Sequence, residues 1–481
     1  MILVKLLASQ ILFIVFGGFG HALLYRQNKS HIPFWEKWSV IYLLGLGSLG
    51  FCLFLVGLLR IQLASGVIVI LACLAGLGWF LLSCPNIKTF VRIPRHLIAC
   101  LHDLREKVRT WSLVEIILIL GIGGIIFLQF QYTFGLPLMG FDSRAHWALK
   151  SKILHYEKTF YSESFYDSER IHPQVRHPLL IPLMQVVVTR MLGVYDDRLM
   201  KLPFFLLFLS LILFFYSELR RYYNRMTALF FVLFLGTLPL LSSPMDGGIT
   251  SGYVDAPMAL YILCTMIFLV RWLEQGSFVH LSFAALFAIF TMYMKDDGIG
   301  FVASGIGALL FSLLIFKTTS WKKRLLSLIL FIVMVLLFLV PAKIYSYSLS
   351  VGKGEYFESI LKLDSIRKNI GRLPQILSSY ELEMLLNLPH WGILWILLIF
   401  SIVYNVKRFR IQEVLFVGLT LLFYLCVLTV VFIVLPWDLA QFFAGSLGRL
   451  ILHMSPAAVY FIALLWKERI SGEGGPSKIP D

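Results

Sequence analysis

Charge is what this chain has least of. Asp, Glu, Lys and Arg together make up 14% of its 481 residues, against roughly 25% in a soluble domain. Hydrophobic residues account for 59%, and mean hydropathy is +0.82. Too few polar side chains remain to cover a water-facing surface. A soluble enzyme, a disordered chain and a disulfide scaffold are all excluded, and lipid must be the main solvent. Cysteine is also sparse. Cys52, Cys73, Cys84, Cys100, Cys264 and Cys426 lie in apolar runs or in the basic connections, and none falls in the long external loops. No disulfide framework and no zinc site of paired cysteines is expected. There is no G-x-x-x-x-G-K-[ST] run to cradle a nucleotide phosphate. No repeat of fixed period is present. The only low-complexity tract is the tail from Ser471 to Ser477, which reads as disordered.

Acidic residues are in deficit, 27 against 42 Lys and Arg, a net charge of +15. In a membrane chain this excess belongs to cytoplasmic loops, so no nucleic-acid partner is expected.

A helix needs about 20 apolar residues to cross the hydrocarbon core. Thirteen segments qualify, near 2–24, 40–59, 62–83, 113–133, 202–219, 226–243, 255–273, 278–294, 298–317, 323–345, 391–405, 412–436 and 449–466. The fold class expected is therefore all-α: a polytopic membrane protein of about thirteen transmembrane helices. Four basic connections set the orientation. They hold Lys88, Arg92, Arg95, Arg105, Lys107 and Arg109; Arg220, Arg221 and Arg225; Lys317, Lys322, Lys323 and Arg324; and Lys407, Arg408 and Arg410. All four fall on the cytoplasmic side if residues 178–193, short and holding two prolines, form a juxtamembrane helix or shallow re-entrant segment rather than a span. The N-terminus is then external. Long external loops cover about 134–201 and 346–390, smaller ones 244–254 and 437–448, and a tight turn 295–297. Four regions follow: 1–112, N-terminal helices and a basic loop; 113–320, the module that carries the polar clusters; 321–470, C-terminal helices with loop 346–390; and the tail 471–481.

Ionisable residues are costly near lipid, about 2.5–3.5 kcal/mol each at a helix centre. Those at the external membrane face are therefore informative. Gly140-Phe-Asp142-Ser-Arg144-Ala-His146-Trp follows directly on a span. It reads as an amphipathic helix over 142–155, capped by Asp142, with Ala145, Leu149 and Ile153 on one side. Arg176-His177-Pro178 opens the juxtamembrane segment, and Tyr253-Val-Asp255-Ala-Pro257 opens a span. Lys295-Asp296-Asp297-Gly298 fills a tight external turn, and Arg449 and His453 begin the last span. Local structure accounts for each alone: a cap, a turn, a helix start, a snorkelling cation. Their common sidedness does not follow from that. His146, His155, His172 and His177 match no compact ligand spacing, so no metal and no cofactor is expected.

Carboxylates and cations at one membrane face suit transfer from a sugar carried on a polyprenyl phosphate. A carboxylate takes the proton of an acceptor hydroxyl, and cations and helix N-termini stabilise the leaving phosphate. The order of the clusters resembles the GT-C membrane glycosyltransferases, in particular the protein O-mannosyltransferase and aminoarabinose transferase group, family 39-like, over roughly 113–320 with an echo at 445–465. The elements that carry the resemblance are Asp142 after a span, His177-Pro178, the basic turn Arg220 to Arg225, Asp255-Ala-Pro257, Lys295-Asp-Asp-Gly298, and Gly448-Arg449 with His453 and Pro456. The resemblance implies a GT-C-like fold with juxtamembrane helices in the first external loop. It makes Asp142 the catalytic base and Asp255 a second acidic residue of the site. Lys295 and Arg449 become phosphate contacts, and His177 part of the loop platform, with Arg144, His146, Asp296 and His453 as further substrate contacts. The partners implied are a polyprenyl-phosphate sugar donor, a lipid, glycan or protein acceptor, and the surrounding lipids. The location implied is a bacterial inner membrane, with the site facing the periplasm or exterior.

Two other readings stay open. A flippase or transporter of lipid-linked sugars would want ionisable residues at mid-membrane and symmetric halves. A polymerase or ligase of surface polysaccharide would lean on a cationic loop, and 346–390 holds Lys353, Lys362, Arg367, Lys368 and Arg372. The transferase reading requires that Asp142 and Lys295 share one pocket.

Overall fold

The computed structural model describes residues 1–25, 32–83, 110–166, 175–316, 321–349 and 363–471, with side chains to 467. Lys88, Arg92, Arg95, Arg105, Lys107, Arg109, Lys317, Cys84, Cys100, His172, Lys353, Lys362 and the tail beyond Ser471 lie outside the described residues. Among the described residues there is no strand, and the chain is an all-α integral membrane protein.

All thirteen expected segments are helical. Nine helices among the described residues are long and apolar enough to span. A tenth crossing is a pair, Leu439–Leu452 and Ser455–Ser471, bent by 43° between its two parts. Arg225–Gly236, Phe278–Met294 and Leu394–Tyr404 are shorter, at 12, 17 and 11 residues. Among the described residues, nine or ten of the thirteen segments thus pass on length alone. Chain chemistry explains two of the short helices. The expected 226–243 breaks at Thr237–Leu238 ahead of Pro239 and resumes as Pro239–Ser242, because the residue before proline leaves the α region. The expected 391–405 starts only at Leu394, after Gly392 turns left-handed at φ +54°.

Asp255–Gln275 is the central helix, with every residue from Asp255 to Leu273 buried. It packs on Leu202–Leu219, Phe278–Met294, Gln412–Val434 and Ser455–Ser471. Ile2–Tyr25 and Phe34–Leu58 cross at Gly17 and Gly45. A methyl on Gly17 would fall on the Ile41 carbonyl oxygen, and one on Gly45 on that of Phe13. Two glycines let these backbones touch, as small residues do where helices pack in lipid.

Residues 178–193 contain the helix Leu180–Leu192, too short to span. It does not lie half-exposed on an interface: every residue from Leu180 to Thr189 is buried, packed against Ile2–Tyr25, Phe34–Leu58 and Leu149–Glu157.

The basic turns gather at one end of the bundle. Arg225 Nε meets Glu115 Oε1 at 2.6 Å. Arg221 bridges Glu218 at 3.1 Å and Glu274 at 3.2 Å. Lys467 reaches Glu274 at 3.1 Å, and Arg324 donates to the Leu273 carbonyl at 3.1 Å. Here Arg271, 3% exposed, lies between Glu36 at 2.5 Å and Glu218 at 2.7 Å. Tyr460 also donates to Glu218, at 3.0 Å, so one carboxylate ties together helices from both halves of the chain. Asp255 is the first residue of the helix that carries Arg271. Its 21 residues hold the two ends about 30 Å apart.

Candidate active site

The site begins where the helix Leu113–Gly135 ends. Lys201 donates to the carbonyls of Tyr132 at 2.8 Å and Leu136 at 2.7 Å, capping a helix terminus whose oxygens would otherwise be orphaned. The chain then passes Gly140, whose missing side chain leaves room for the Tyr253 ring. Residues Ser143–Ala148 form a π-helical turn and Leu149–Glu157 an α-helix.

Two expectations change here. Asp142 makes no capping bond, and its carboxylate is turned to other partners. The proposed stripe of Ala145, Leu149 and Ile153 is only half-buried, while Trp147, Lys150, Ser151 and Leu154 form the buried face. The reason is that the polar groups find partners inside. Lys150 Nζ donates to the His177 carbonyl at 3.1 Å, and His155 Nδ1 lies 3.0 Å from Thr189 Oγ1.

Asp142 Oδ2 accepts from Arg449 Nη1 at 2.5 Å, and His146 Nε2 lies 3.4 Å from Asp142 Oδ1. Burial works against the Asp142 charge. The His146 hydrogen bond and the Arg449 guanidinium outweigh it, and hold its carboxyl down at about 2. Arg449 lies over the Tyr253 ring, 5.0 Å from its centroid, and its Nη1 is 3.8 Å from Asp255 Oδ2. Asp255, 1% exposed, accepts at Oδ1 from Lys295 Nζ at 3.0 Å, and His453 Nε2 lies 2.9 Å from the same oxygen. His453 Nδ1 is 2.9 Å from the Tyr424 hydroxyl. With the Nε2 proton on Asp255, Nδ1 accepts the tyrosine proton, so every polar atom of this fully buried imidazole is used. Lys295 also pairs with Asp297 at 2.8 Å. Burial lowers its ammonium, but Asp255 and Asp297 more than reverse this and push it up to about 12.

A second cluster adjoins the first through the 295–297 turn. Asp296 Oδ2 lies 3.3 Å from His177 Nδ1, and Oδ1 accepts from Lys343 Nζ at 2.8 Å. Burial opposes ionisation of Asp296, but His177 and Lys343 hold its carboxyl well below the usual range. His177 stacks on Trp147, centroids 5.5 Å apart, and burial pulls its imidazole down. Burial likewise pulls the Lys150 ammonium to about 7, against the pull of Asp296.

Of the sequence-derived residues, Asp142, His146, Asp255, Lys295, Arg449 and His453 thus join one network, and His177 and Asp296 a second beside it. Asp142 and Lys295 are linked through Arg449 and Asp255. Arg144 is exposed and takes part in none of these bonds. Sequence reasoning did not single out Tyr253, Tyr424 or Lys343. A hydroxyl inside an apolar run (Tyr424) and a cation near the end of one (Lys343) were the available signals. Among the described residues no three His, Cys, Asp or Glu side chains gather closely enough to hold a metal ion.

Chemically, the first network offers carboxylates able to hold a proton, with a guanidinium and an ammonium able to hold a phosphate. Residues 176–344 match the family model described as dolichyl-phosphate-mannose-protein mannosyltransferase. The matched segment contains His177, Asp255, Lys295, Asp296 and Lys343, while Asp142, Arg449 and His453 lie outside it. No curated protein and no solved structure matches the chain. Over that segment the chain resembles membrane glycosyltransferases, and the match supports a polyprenyl-phosphate sugar as donor.

Proposed function

From this family resemblance as premise, we propose that the protein transfers a sugar from a polyprenyl phosphate to an acceptor hydroxyl at the external face, with Asp142 as general base. The observation that carries the reading is the convergence of Asp142, Arg449, Asp255 and Lys295 from four distant parts of the chain, at the end of the bundle away from the basic turns.

In the resting site Arg449 neutralises Asp142 at 2.5 Å. An arriving lipid phosphate competes for that guanidinium, and Lys295 adds a second positive charge. Freed of its closest cation, Asp142 becomes more basic just as substrate binds. The acceptor oxygen then attacks the anomeric carbon and a new C–O bond forms. The bond from that carbon to the phosphate oxygen breaks, and its electron pair leaves with the polyprenyl phosphate. Asp142 takes the hydroxyl proton. Positive charge beside the leaving oxygens, already in place on Arg449 and Lys295, is the electrostatic part of the rate enhancement. Asp255 does not touch the reacting atoms in this scheme. It fixes Lys295 and His453.

The test uses purified protein in lipid vesicles with a labelled polyprenyl-phosphate sugar. Polyprenyl phosphate should be released and label passed to an acceptor. Asp142→Asn should lower the rate 10²- to 10⁴-fold, the usual weight of a general base, in a chain that elutes as a single folded species. Movement of the intact lipid across the bilayer without cleavage would identify a flippase and end this reading.

A further inference from the structure

The external segment after Leu373 carries an acid–imidazole pair that the scheme above leaves idle. It comprises the helix Leu373–Glu381, a π-helical turn Leu382–Leu386 and the short turn Leu388–Trp391. Glu383 Oε1 accepts from His390 Nδ1 at 2.6 Å and from Trp391 Nε1 at 3.1 Å, and Oε2 accepts from Asn387 at 3.0 Å. Trp391 is fully buried and anchors the turn. Asn387 Nδ2 also comes within 2.9 Å of His390 Nδ1. A lone pair on that nitrogen would face a carboxylate oxygen at 2.6 Å, so the proton sits on Nδ1. In the neutral ring Nε2 therefore carries a lone pair. Its side chain is 38% exposed, and Nε2 has no partner among the described residues.

The pair stands beside the helix segment that carries Arg449 of the Asp142 network. A methyl on Gly448 would lie 2.9 Å from Glu383 Oε1 and 3.1 Å from His390 Nδ1, and the next residue is Arg449. On the other side, a methyl on Gly247 would lie 3.1 Å from Arg449 Cγ, and its neighbour Asp246 acts on the His390 charge. The groups around the ring are thus Glu383 on its own segment, Asp246 from the 243–254 loop, and Gly448 and Arg449 of the helix Leu439–Leu452. Two carboxylates repel a phosphate, so this position does not suit the donor's charged end. An outward lone pair beside them suits a neutral O–H.

We propose that Glu383 and His390 form an acceptor subsite, in which His390 Nε2 accepts a hydrogen bond from a hydroxyl of a neutral, hydroxyl-rich acceptor and so positions its attacking oxygen toward Asp142. This rests on the transferase reading for its role in turnover, but not for binding. Glu383 fixes the ring and its tautomer, and is a positioning residue.

Two arms separate the claims. In lipid nanodiscs without donor, methyl α-glucoside serves as the probe, and saturation-transfer NMR reads its binding. Wild type should show transfer, and His390→Ala and Glu383→Gln should each weaken it at least fivefold. Glu383 raises the His390 pKa above the usual imidazole value, so protonation fills the lone pair as pH falls. Binding should fade through that range in wild type and be flat in His390→Ala. No transfer to wild type, or equal transfer to wild type and His390→Ala, overturns the subsite. In the second arm, labelled polyprenyl-phosphate sugar is given with methyl α-glucoside, and the KM for the glucoside should rise at least fivefold in His390→Ala. An unchanged KM with active enzyme also overturns the subsite. A wild type that never releases polyprenyl phosphate instead ends the transferase reading, and the binding arm then decides the subsite alone.

Discussion

Asp142 and Asp255 are two carboxylates in one network with different environments. Asp142 is half-buried and shares Arg449 with its neighbour. Asp255 is enclosed and bonded from two sides. Removing the Asp255 charge leaves Lys295 and His453 short of a partner, and breaking a buried pair costs about 3–5 kcal/mol. Asp255→Asn should therefore lower the thermal midpoint in detergent more than Asp142→Asn does. The double variant Asp255→Asn with Lys295→Met should recover part of the loss, and strictly additive losses would contradict the coupling. For Asp142 the pH dependence has a definite sign. Its folded pKa of about 2 lies below the ordinary value near 3.9. Its contribution, on the order of 2 kcal/mol, is fully present above that ordinary value and is lost as pH falls through about 2. Wild type and Asp142→Asn should thus differ in unfolding at pH 6 and converge toward pH 2. Much of this network was legible in the sequence, because ionisable residues beside apolar runs have few uses. Arg144 stood in the same motif, but a motif does not reveal which side chains turn inward. Glu383 and His390 escaped because no local pattern tells that residues 383–390 fold back on Gly448.

Helices were the most legible elements, since long apolar runs in lipid leave the backbone no other way to satisfy its polar groups. Their lengths were less so. Pro239 and Gly392 shorten two of them, and hydropathy averages pass over such breaks. The π turn at Ser143–Ala148 was not legible at all. It differs from an α-helix by one residue in hydrogen-bond register, not in composition. At this scale the crossing of the first two helices makes a sharp prediction. Gly17→Val and Gly45→Val each place a side chain on a facing carbonyl, and overpacking costs about 1–3 kcal/mol. Each variant should lower the yield of monodisperse protein and its thermal midpoint, whereas Gly20→Val, with open space around it, should leave both unchanged.

The whole molecule has two polar ends, one built of Arg–Glu clamps and one of the Asp142 network. The excess of basic turns at one end is the pattern that orients membrane chains. A cysteine at position 246 should accordingly be labelled by an impermeant reagent on intact cells, and one at position 220 only after permeabilisation. Labelling at 220 in intact cells, or at 246 only after permeabilisation, would reverse the orientation. Net charge and loop composition carried this overall plan in the sequence. The bend between Leu439–Leu452 and Ser455–Ser471 was not visible, because a bent pair and a plain span have the same hydropathy.

The clamp on Arg271 also bears on how the chain is made. Glu36 lies in the first turn of the second helix, and its partner Arg271 is 235 residues further on. At about 5–20 residues per second of synthesis, Glu36 waits roughly ten to fifty seconds for its counter-charge to leave the ribosome. During that interval the helix Phe34–Leu58 lacks this contact, and the clamp closes only after the middle of the chain has emerged.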